Sequence, residues 1–333
     1  MPRQPDFLGP DAGAPGTQKV AEFPRQGYIH ALILGAGAAP ILVLADPGKR
    51  QPWVSAVARR SVVIAPGDAR RLSPPAQEFP MSYDTLAGRT AVVTGAASGM
   101  GEATARLLAS HGVRVALLAR RAERLAELAA TIEKAGGQAL AVAADVTDAA
   151  SVDAAAERVH TAYGQVDLVV NAAGVMLPNP VTDGRADEWQ RMLDTNVAGA
   201  LRVIRAFTPD LIAVAEAGRT ADLVNISSIG AHIAFPHYAV YGATKAALTY
   251  LSQSLRTELG PRDVRVTNIE PGLTDTELAD HIDNAELAGQ LGGMFDALTG
   301  LAADDIADLI AYTTSRARHV NLRQAIVLPT RQA

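Results

Sequence analysis

Most of this 333-residue chain is expected to form a three-layer, doubly wound α/β fold, in which one sheet of seven mostly parallel strands carries helices on both faces. From Arg89 onward, short β-branched or aliphatic runs alternate with helical patterns, which is the order of repeated strand–helix units. Apolar residues make up 48% of the chain, enough for a core on each face of a sheet. A glycine-rich turn also joins the first strand to the first helix.

The predicted strands are short runs of β-branched and aliphatic residues. They cover residues 90–95, 113–119, 138–144, 166–171, 221–226, 263–269 and 324–328. Between the second and third strands, apolar residues from Leu125 to Ile132 recur at spacings of three and four, as on the buried face of a helix. Gly136 and Gly137 then end that helix. Residues 81–333 are therefore expected to form a single domain.

The first 80 residues differ from the rest in composition. They hold 12 of the 19 prolines and 8 of the 28 glycines, so a quarter of this segment disfavours regular structure. We expect residues 1–80 to be a poorly structured extension, or to lie upstream of a natural start at Met81. The apolar run at 29–45 is shorter than a membrane span of about 20 residues and contains Pro40. No membrane segment is expected.

Composition also limits the chemistry. The chain has no cysteine, which excludes disulfides, thiol catalysis and cysteine metal sites and fits a reducing compartment, so a cytoplasmic protein is expected. We predict no metal site. The formal net charge is −5, and residues 81–333 alone carry 21 basic and 29 acidic side chains, or −8. Nucleic acid is therefore not an expected partner.

A glycine-rich turn follows the first predicted strand, in the stretch TGAASGMG at 94–101. Gly95, Gly99 and Gly101 would let the backbone approach a pyrophosphate closely, and the amides at the start of the next helix favour its negative charge. A glycine cluster alone is weak evidence. Because this one joins a strand to a helix at the start of a βαβ unit, it predicts dinucleotide binding.

The end of the second predicted strand favours NADP over NAD. An NAD-preferring enzyme usually places an acid here, against the ribose 2′-hydroxyl, whereas in this chain Ala119 is followed by Arg120 and Arg121. Their charges would attract a 2′-phosphate. Asp145, after the third strand, is either an adenine contact or the cap of the next helix.

Tyr241 and Lys245 lie four residues apart in AVYGATKAAL at 239–248, a helical pattern. This spacing puts both side chains on one helix face. A free tyrosine titrates near pH 10, and a nearby positive charge lowers that pKa. The pair is a candidate for proton transfer, but a surface helix could carry the same two residues, so neighbouring motifs must decide.

Five motifs together resemble the short-chain dehydrogenase/reductase family over residues 86–329. They are TGAASGMG at 94–101, NAAG at 171–174, NISS at 225–228, YGATK at 241–245 and PGLTDTE at 271–277. The resemblance implies a Rossmann-type fold and a catalytic set of Ser228, Tyr241, Lys245 and Asn196. Ala172 stands where many relatives have a second asparagine.

The resemblance also implies a role for each residue. Ser228 would donate a hydrogen bond to the substrate oxygen while Tyr241 transfers the proton as general acid or base. Lys245 would lower the tyrosine pKa and bind the nicotinamide ribose, and Asn196 would hold a water that links Lys245 to solvent. The expected cofactor contacts are Gly95, Ser98, Gly99, Met100, Gly101, Arg120, Arg121, Asp145, Val146, Asn171, Ala172, Gly174, Tyr241, Lys245, Pro271, Gly272, Thr274 and Thr276.

Within the family, NAAGVMLPNPV, EPGLTDTELADHI and HVNLRQAIVLPTRQ are most similar to the clavulanic acid dehydrogenase and 3-hydroxy acid dehydrogenase group. The expected substrate contacts are Met176, Leu177, His232, Phe235, Tyr238 and Leu273, although His232 could instead only shape its loop. The segment 277–300 contains three glycines, Gly289, Gly292 and Gly293, which suit a mobile lid.

These features predict an NADP(H)-dependent oxidoreductase for a small to moderate ketone, aldehyde or secondary alcohol. The family usually assembles as dimers or tetramers, so a homo-oligomer, and specifically a tetramer, is expected. Two other functions remain open. One is an epimerase or lyase that uses the nicotinamide transiently, against which the short tail after Gly272 argues. The other is an NADP-binding regulator without catalysis, against which the complete catalytic set argues.

Overall fold

The computed structural model describes residues 20–25, 28–33, 41–45 and 83–332. The chain divides into two units, Met1–Glu78 and Phe79–Ala333. In the first, an antiparallel sheet is formed by β1 (Val20–Arg25), β2 (Tyr28–Ile33) and β3 (Ile41–Ala45) in that order. The prediction that residues 1–80 form a poorly structured extension stays a prediction, because most of them lie outside the described part.

The second unit contains a seven-stranded sheet in the order β10-β9-β8-β7-β4-β5-β6. All its neighbouring strands pair in parallel. The strands are β4 (Thr90–Thr94), β5 (Arg114–Ala119), β6 (Gln138–Ala143), β7 (Leu168–Asn171), β8 (Ala221–Ile226), β9 (Val264–Pro271) and β10 (Gln324–Val327). The predicted doubly wound α/β fold is confirmed.

Helices connect these strands. The α-helices are α1 (Gly99–Ser110), α2 (Ala122–Lys134), α3 (Ala149–Tyr163), α4 (Ala186–Leu193), α5 (Ala200–Glu216), α6 (Ala239–Leu259), α7 (Ala285–Ala297) and α8 (Ala303–Thr314). A π-helical stretch, Asp194–Gly199, joins α4 to α5. Two short 3₁₀ helices, Ile229–Ala231 and Glu277–His281, lie near the carboxyl ends of β8 and β9.

Alternating residues of β4 pack in two separate apolar cores. Val93 packs in one apolar cluster with Leu108 of α1, whereas Val92 packs in the other with Phe207 of α5. Side chains alternate between the two faces of a strand, so each face needs its own covering helices. The result is three layers.

The carboxyl ends of the strands define where a ligand can bind. The strand order reverses between β4 and β7, and at such a switch point the loops after the two strands diverge and leave a crevice. In the described ranges, no helix combines the length and apolarity of a membrane crossing. Nor does any group of three or more acidic or histidine side chains there form a metal site.

Candidate active site

The glycine turn between β4 and α1 is packed against the turn that follows β7. Gly95 and Gly99 have φ angles of +66° and +52°, in the left-handed region that favours glycine. A Cβ on Gly95 would lie 2.8 Å from the Ala172 carbonyl oxygen, and one on Gly101 would lie 2.4 Å from the carbonyl oxygen of Gly95. The hydroxyl of Thr94 accepts hydrogen bonds from the amides of Ala172 and the next residue, both at 3.1 Å. The turn is therefore a rigid platform at the start of a helix.

Two adjoining cavities form a cleft over this platform. The outer one is bounded by Arg120 and Asp145, and the inner one reaches Tyr241 and Lys245. The predicted cofactor residues that line the cleft are Gly95, Ser98, Gly99, Met100, Gly101, Arg120, Arg121, Asp145, Val146, Ala172, Gly174, Tyr241, Lys245 and Thr276. A dinucleotide fits this arrangement, because the helix start faces the middle of the cleft and arginines lie at one end.

Asn171 does not line the cleft beside its neighbours in the motif. Its side chain is 4% exposed, and Nδ2 donates to Oδ1 of Asn225 on the neighbouring strand at 2.9 Å. Asn171 is the last residue of β7, and its contact with the cofactor stays a prediction. The two readings of Asp145 are also separated. Asp148 caps α3, while Asp145 accepts from Thr147 at 2.9 Å and lines the cleft.

Ser228 and Tyr241 come together at the inner end of the cleft. Ser228 ends the β8 loop and its Oγ accepts from the amide of Gly230 at 3.0 Å, so the hydroxyl proton remains available for donation. Tyr241 lies in the first turn of α6 and is 8% exposed. The two side chains line one pocket, and the Ser228 hydroxyl lies close enough to the phenol to lower its pKa. The predicted serine–tyrosine pair is thus assembled by two elements that are distant in sequence.

Burial controls the protonation of this pair. Desolvation raises the pKa of Tyr241 to about 12, although the hydrogen bond from Ser228 opposes the shift. The lowering of this pKa by Lys245 stays a prediction, since burial is the largest effect on the phenol and raises its pKa. Tyr241 is therefore neutral near pH 7, the form that can give a proton to a substrate oxygen.

Lys245 lies beside the tyrosine ring, with Nζ 5.7 Å from the ring centroid. Its ammonium donates to the carbonyl oxygen of Ile226 at 3.0 Å and the residue is 6% exposed. Burial lowers its pKa to about 8, because the charged form loses solvation. Lys245 is thus held at the cleft by a strand carbonyl and can change its charge near neutral pH.

This lysine gives a testable pH dependence. Because its folded pKa is about 8 against 10.5 in an unfolded chain, the unfolded state binds more protons between these values, and folding stability should rise with pH across that window. We expect Lys245→Met to remove about 2–3 kcal/mol of this rise. Urea unfolding at closely spaced pH values would measure it; equal slopes for the variant and the wild type would contradict the assignment.

Asn196 holds the lysine side of the site in place. It lies in the π-helical stretch, a feature that is frequent at functional sites. Its Oδ1 accepts from the amide of Val175 at 2.8 Å, and its Nδ2 donates to the Val175 carbonyl and the Thr244 hydroxyl. A Cβ on Gly174 would lie 3.4 Å from Asn196 Oδ1 and 3.5 Å from Lys245 Nζ, so the two side chains converge. The water-holding role stays a prediction.

A second pocket opens beside the two hydroxyls. Of the predicted substrate contacts, Met176, Phe235, Tyr238 and Leu273 line it. Six predicted cofactor residues line this pocket as well, namely Met100, Tyr241, Pro271, Gly272, Thr274 and Thr276. Leu177 is instead buried in a small apolar cluster below it.

His232 was expected either to contact the substrate or only to shape its loop, and it lies outside the substrate pocket. Its Nε2 lies 2.9 Å from Oε2 of Glu270, a carboxylate that is fully buried and also accepts from Thr249 and Gln324. This pairing draws the ring away from the substrate pocket, which it does not line. His232 therefore shapes its loop, the alternative that the sequence left open.

Several pocket residues were not predicted. The predicted lid is mostly helix, and Leu291, Met294 and Phe295 of α7 face the pocket. Gln332 closes it from the end of the chain and accepts from the amide of Leu273 at 2.8 Å. A Cβ on Gly272 would lie 2.4 Å from the Gln332 amide oxygen. Apolar spacing in α7 could have indicated the first three, but no local pattern points to Gln332.

Comparison with known proteins gives consistent matches. The profile of the family described as short chain dehydrogenase matches residues 89–287. Sulfoacetaldehyde reductase 2 of Chromohalobacter salexigens is 37% identical over 243 residues, which is 73% of this chain and 94% of that protein. Serine 3-dehydrogenase of Agrobacterium fabrum is 36% identical over 248 residues, 73% of this chain and 95% of that protein.

Solved structures also match this chain. The closed form of serine dehydrogenase complexed with NADP⁺ superposes with a TM-score of 0.68 at 29% identity, covering 73% of this chain and 96% of that one. A 3-ketoacyl-(acyl-carrier-protein) reductase from Brucella melitensis complexed with NADH has a TM-score of 0.66 at 30% identity, covering 74% and 100%. These neighbours were solved with different nicotinamide cofactors.

Proposed function

The chain belongs to the short-chain dehydrogenase family and is an NAD(P)-dependent oxidoreductase, and from this premise we propose that it uses NADP(H) to interconvert an uncharged ketone or aldehyde with its alcohol. The observation that carries the proposal is the junction of the Ser228 and Tyr241 hydroxyls with a pocket that contains no charged side chain among the described residues that line it. The substrate would be of small to moderate size.

The chain's own residues account for the proton and the developing charge. When bound, the nicotinamide would supply the hydride for reduction or accept it in oxidation. Ser228 stabilises the substrate oxygen by donating its hydroxyl proton in a hydrogen bond, which strengthens as negative charge grows there. Tyr241, neutral because its pKa is raised, gives the proton that completes the alcohol. Lys245, beside the phenol, compensates the negative charge that the phenol then carries.

The pocket walls support an uncharged substrate. They consist of apolar side chains with a few hydroxyl and amide groups, and no arginine, lysine, aspartate or glutamate among the described lining residues. Serine and sulfoacetaldehyde, named for two relatives, both carry charge at neutral pH. A charged group buried here would lack a partner, and that costs several kcal/mol. This chain is therefore proposed to differ from those relatives in substrate.

Substrate charge can be tested with a matched pair of compounds. We expect a medium-chain methyl ketone to exceed, by about 100-fold in kcat/KM, the keto acid of equal length with its carboxylate at the far end. The methyl ester of that keto acid should recover most of the loss, because it keeps the shape without the charge. NADPH consumption at its absorbance band measures all three. Equal use of the keto acid would refute the proposed substrate class.

The preference for NADP rests on the outer end of the cleft. Ala119 ends β5, and Arg120 and Arg121 after it line the cleft. Arg121 donates to the hydroxyl of Ser98 at 2.7 Å, which places its guanidinium over the glycine turn. Two cations directly after β5, where an NAD-preferring enzyme usually has an acid, favour a 2′-phosphate over a bare ribose hydroxyl.

A homo-oligomer, as a tetramer or dimer, is the proposed assembly. The helices expected to pair, α5 and α6, each carry an exposed apolar or aromatic residue. Leu201 is 42% exposed and Tyr250 is 73% exposed. Covering such residues against a second copy would bury apolar surface.

A further inference from the structure

One carboxylate that lines the cleft is paired with arginines beside the glycine turn. Glu277, the first residue of the 3₁₀ helix after β9, accepts from Arg121 Nη1 at 2.8 Å through Oε2. Through Oε1 it accepts from Arg124 Nη2 at 3.1 Å. The hydroxyl of Ser98 accepts from Arg121 Nη2 at 2.7 Å. Two guanidinium groups beside the glycine turn therefore converge on a single anion.

These groups are the ones that a phosphate would use. Arginine pairs carboxylate and phosphate oxygens with the same donor geometry, so a glutamate here occupies an anion site at the glycine turn. The arrangement also shows that the site accommodates an anion of this size. A phosphate of the cofactor and the Glu277 carboxylate would require the same Arg121 donors, and they repel each other.

The cluster is open enough for exchange. The side chains of Arg121, Glu277 and Arg124 are 48%, 39% and 53% exposed. Ion pairs at such exposure contribute only about 0–1 kcal/mol each, and salt screens them. A phosphate dianion carries more charge than a carboxylate, so it can displace Glu277 from these arginines.

We propose that Glu277 is an internal competitor for the 2′-phosphate, and that it sets how strongly this chain prefers NADP(H) over NAD(H). The inference rests on the proposed function, because it takes Arg120 and Arg121 as the 2′-phosphate side of the cleft. Glu277 lowers affinity for the phosphorylated cofactor by occupying Arg121 and Arg124 in its place. It leaves affinity for NADH unchanged, since NADH has no 2′-phosphate.

The test is Glu277→Gln, measured by equilibrium titration of the purified full-length protein with NADPH and with NADH, using cofactor fluorescence. The amide keeps the shape and removes the charge. We expect the Kd for NADPH to fall about fivefold and the Kd for NADH to change less than about twofold. The effect on NADPH should shrink as ionic strength rises from about 0.05 to 0.5 M.

Glu286→Gln is the matched control. Glu286 is an acidic residue in the first turn of α7, on the same segment, and its side chain accepts from Gln290 Nε2 at 3.4 Å. The Glu286→Gln variant loses the same charge as Glu277→Gln but no arginine contact, so its Kd values for NADPH and NADH should equal those of the wild type. A fall of the NADPH Kd in both variants would attribute the effect to net charge and overturn the competition.

Two results for Glu277→Gln would also overturn the proposal. An unchanged or weaker NADPH affinity would mean that Glu277 does not compete. An equal gain in NADH affinity would mean that Glu277 competes with the pyrophosphate, which both cofactors contain, and not with the 2′-phosphate. Arg120→Asp separates this from the cofactor assignment. If Arg120→Asp leaves the NADPH-to-NADH ratio of Kd values unchanged, the NADP preference itself is wrong. If the ratio rises but Glu277→Gln has no effect, only the competition is wrong.

Discussion

Replacing Tyr241 by phenylalanine is expected to lower kcat by about 10²- to 10⁴-fold, the range that a general acid contributes. The ring would still pack against Tyr238, whose centroid lies 6.4 Å away, so the pocket wall remains. What is lost is the hydroxyl that meets Ser228 and gives the proton. The Kd for NADPH, measured by fluorescence titration, should stay within about threefold, which separates chemistry from binding.

Tyr238→Phe is the control for this prediction. Tyr238 lines the same pocket, and burial raises its pKa too, but it lies one turn earlier and has no lysine four residues on. Its loss should change kcat by less than about fivefold. If Tyr238→Phe were the inactive variant and Tyr241→Phe kept a tenth of the activity, the proton donor would have been assigned to the wrong phenol.

Replacing Arg89 by methionine is expected to lower the free energy of unfolding by about 3–5 kcal/mol. Arg89 lies at the amino ends of the strands, on the side opposite the cleft. Its guanidinium pairs with Asp167 at 2.7 Å and with Asp222 at 2.8 Å, and all three side chains are at most 8% exposed. Without Arg89, Asp167 would lose its nearest cation while remaining buried, and this leaves an unpaired charge in the core.

Arg106→Met is the comparison for this large loss. Arg106 pairs with Glu102 one helical turn away on α1, and the two side chains are 43% and 30% exposed. An exposed pair at this spacing contributes only about 0.3–0.5 kcal/mol. Urea unfolding of both variants gives the free energies. Similar small losses for the two would show that the buried cluster does not depend on Arg89.

The strands and the glycine turn could be predicted because their signals are local. A parallel strand that is buried on both faces needs a continuous apolar run, and VVT before Gly95 satisfies that within five residues of sequence. The same holds for the Tyr241 and Lys245 spacing, since one helical turn determines which side chains are neighbours. The predicted and observed ends of the strands differ by a few residues; β7, for example, begins at Leu168 rather than at residue 166.

Sequence was least informative where a side chain had a choice of partners. Asn171 begins the NAAG motif, His232 lies four residues after the NISS motif, and both positions are compatible with the cleft. Asn171 instead bonds to Asn225 across the sheet, and His232 bonds to buried Glu270. Asn225 and Glu270 are distant in sequence from these two residues. A polar group at the edge of a core forms a hydrogen bond with the partner that lets it stay buried, and only the folded structure shows which partner that is.

The chain's order of residues was thus sufficient for the strand succession, the cofactor platform, and the placement of Tyr241 beside Lys245, because each depends on spacing within one element or one turn. Tertiary structure decided how far the pKa of Tyr241 is raised, since desolvation depends on everything packed around the phenol. It also decided the uncharged pocket closed by Gln332 and the position of Glu277 over Arg121. Such contacts join segments more than 50 residues apart, as the separations of 59 and 156 residues show, and only the completed sheet brings them together.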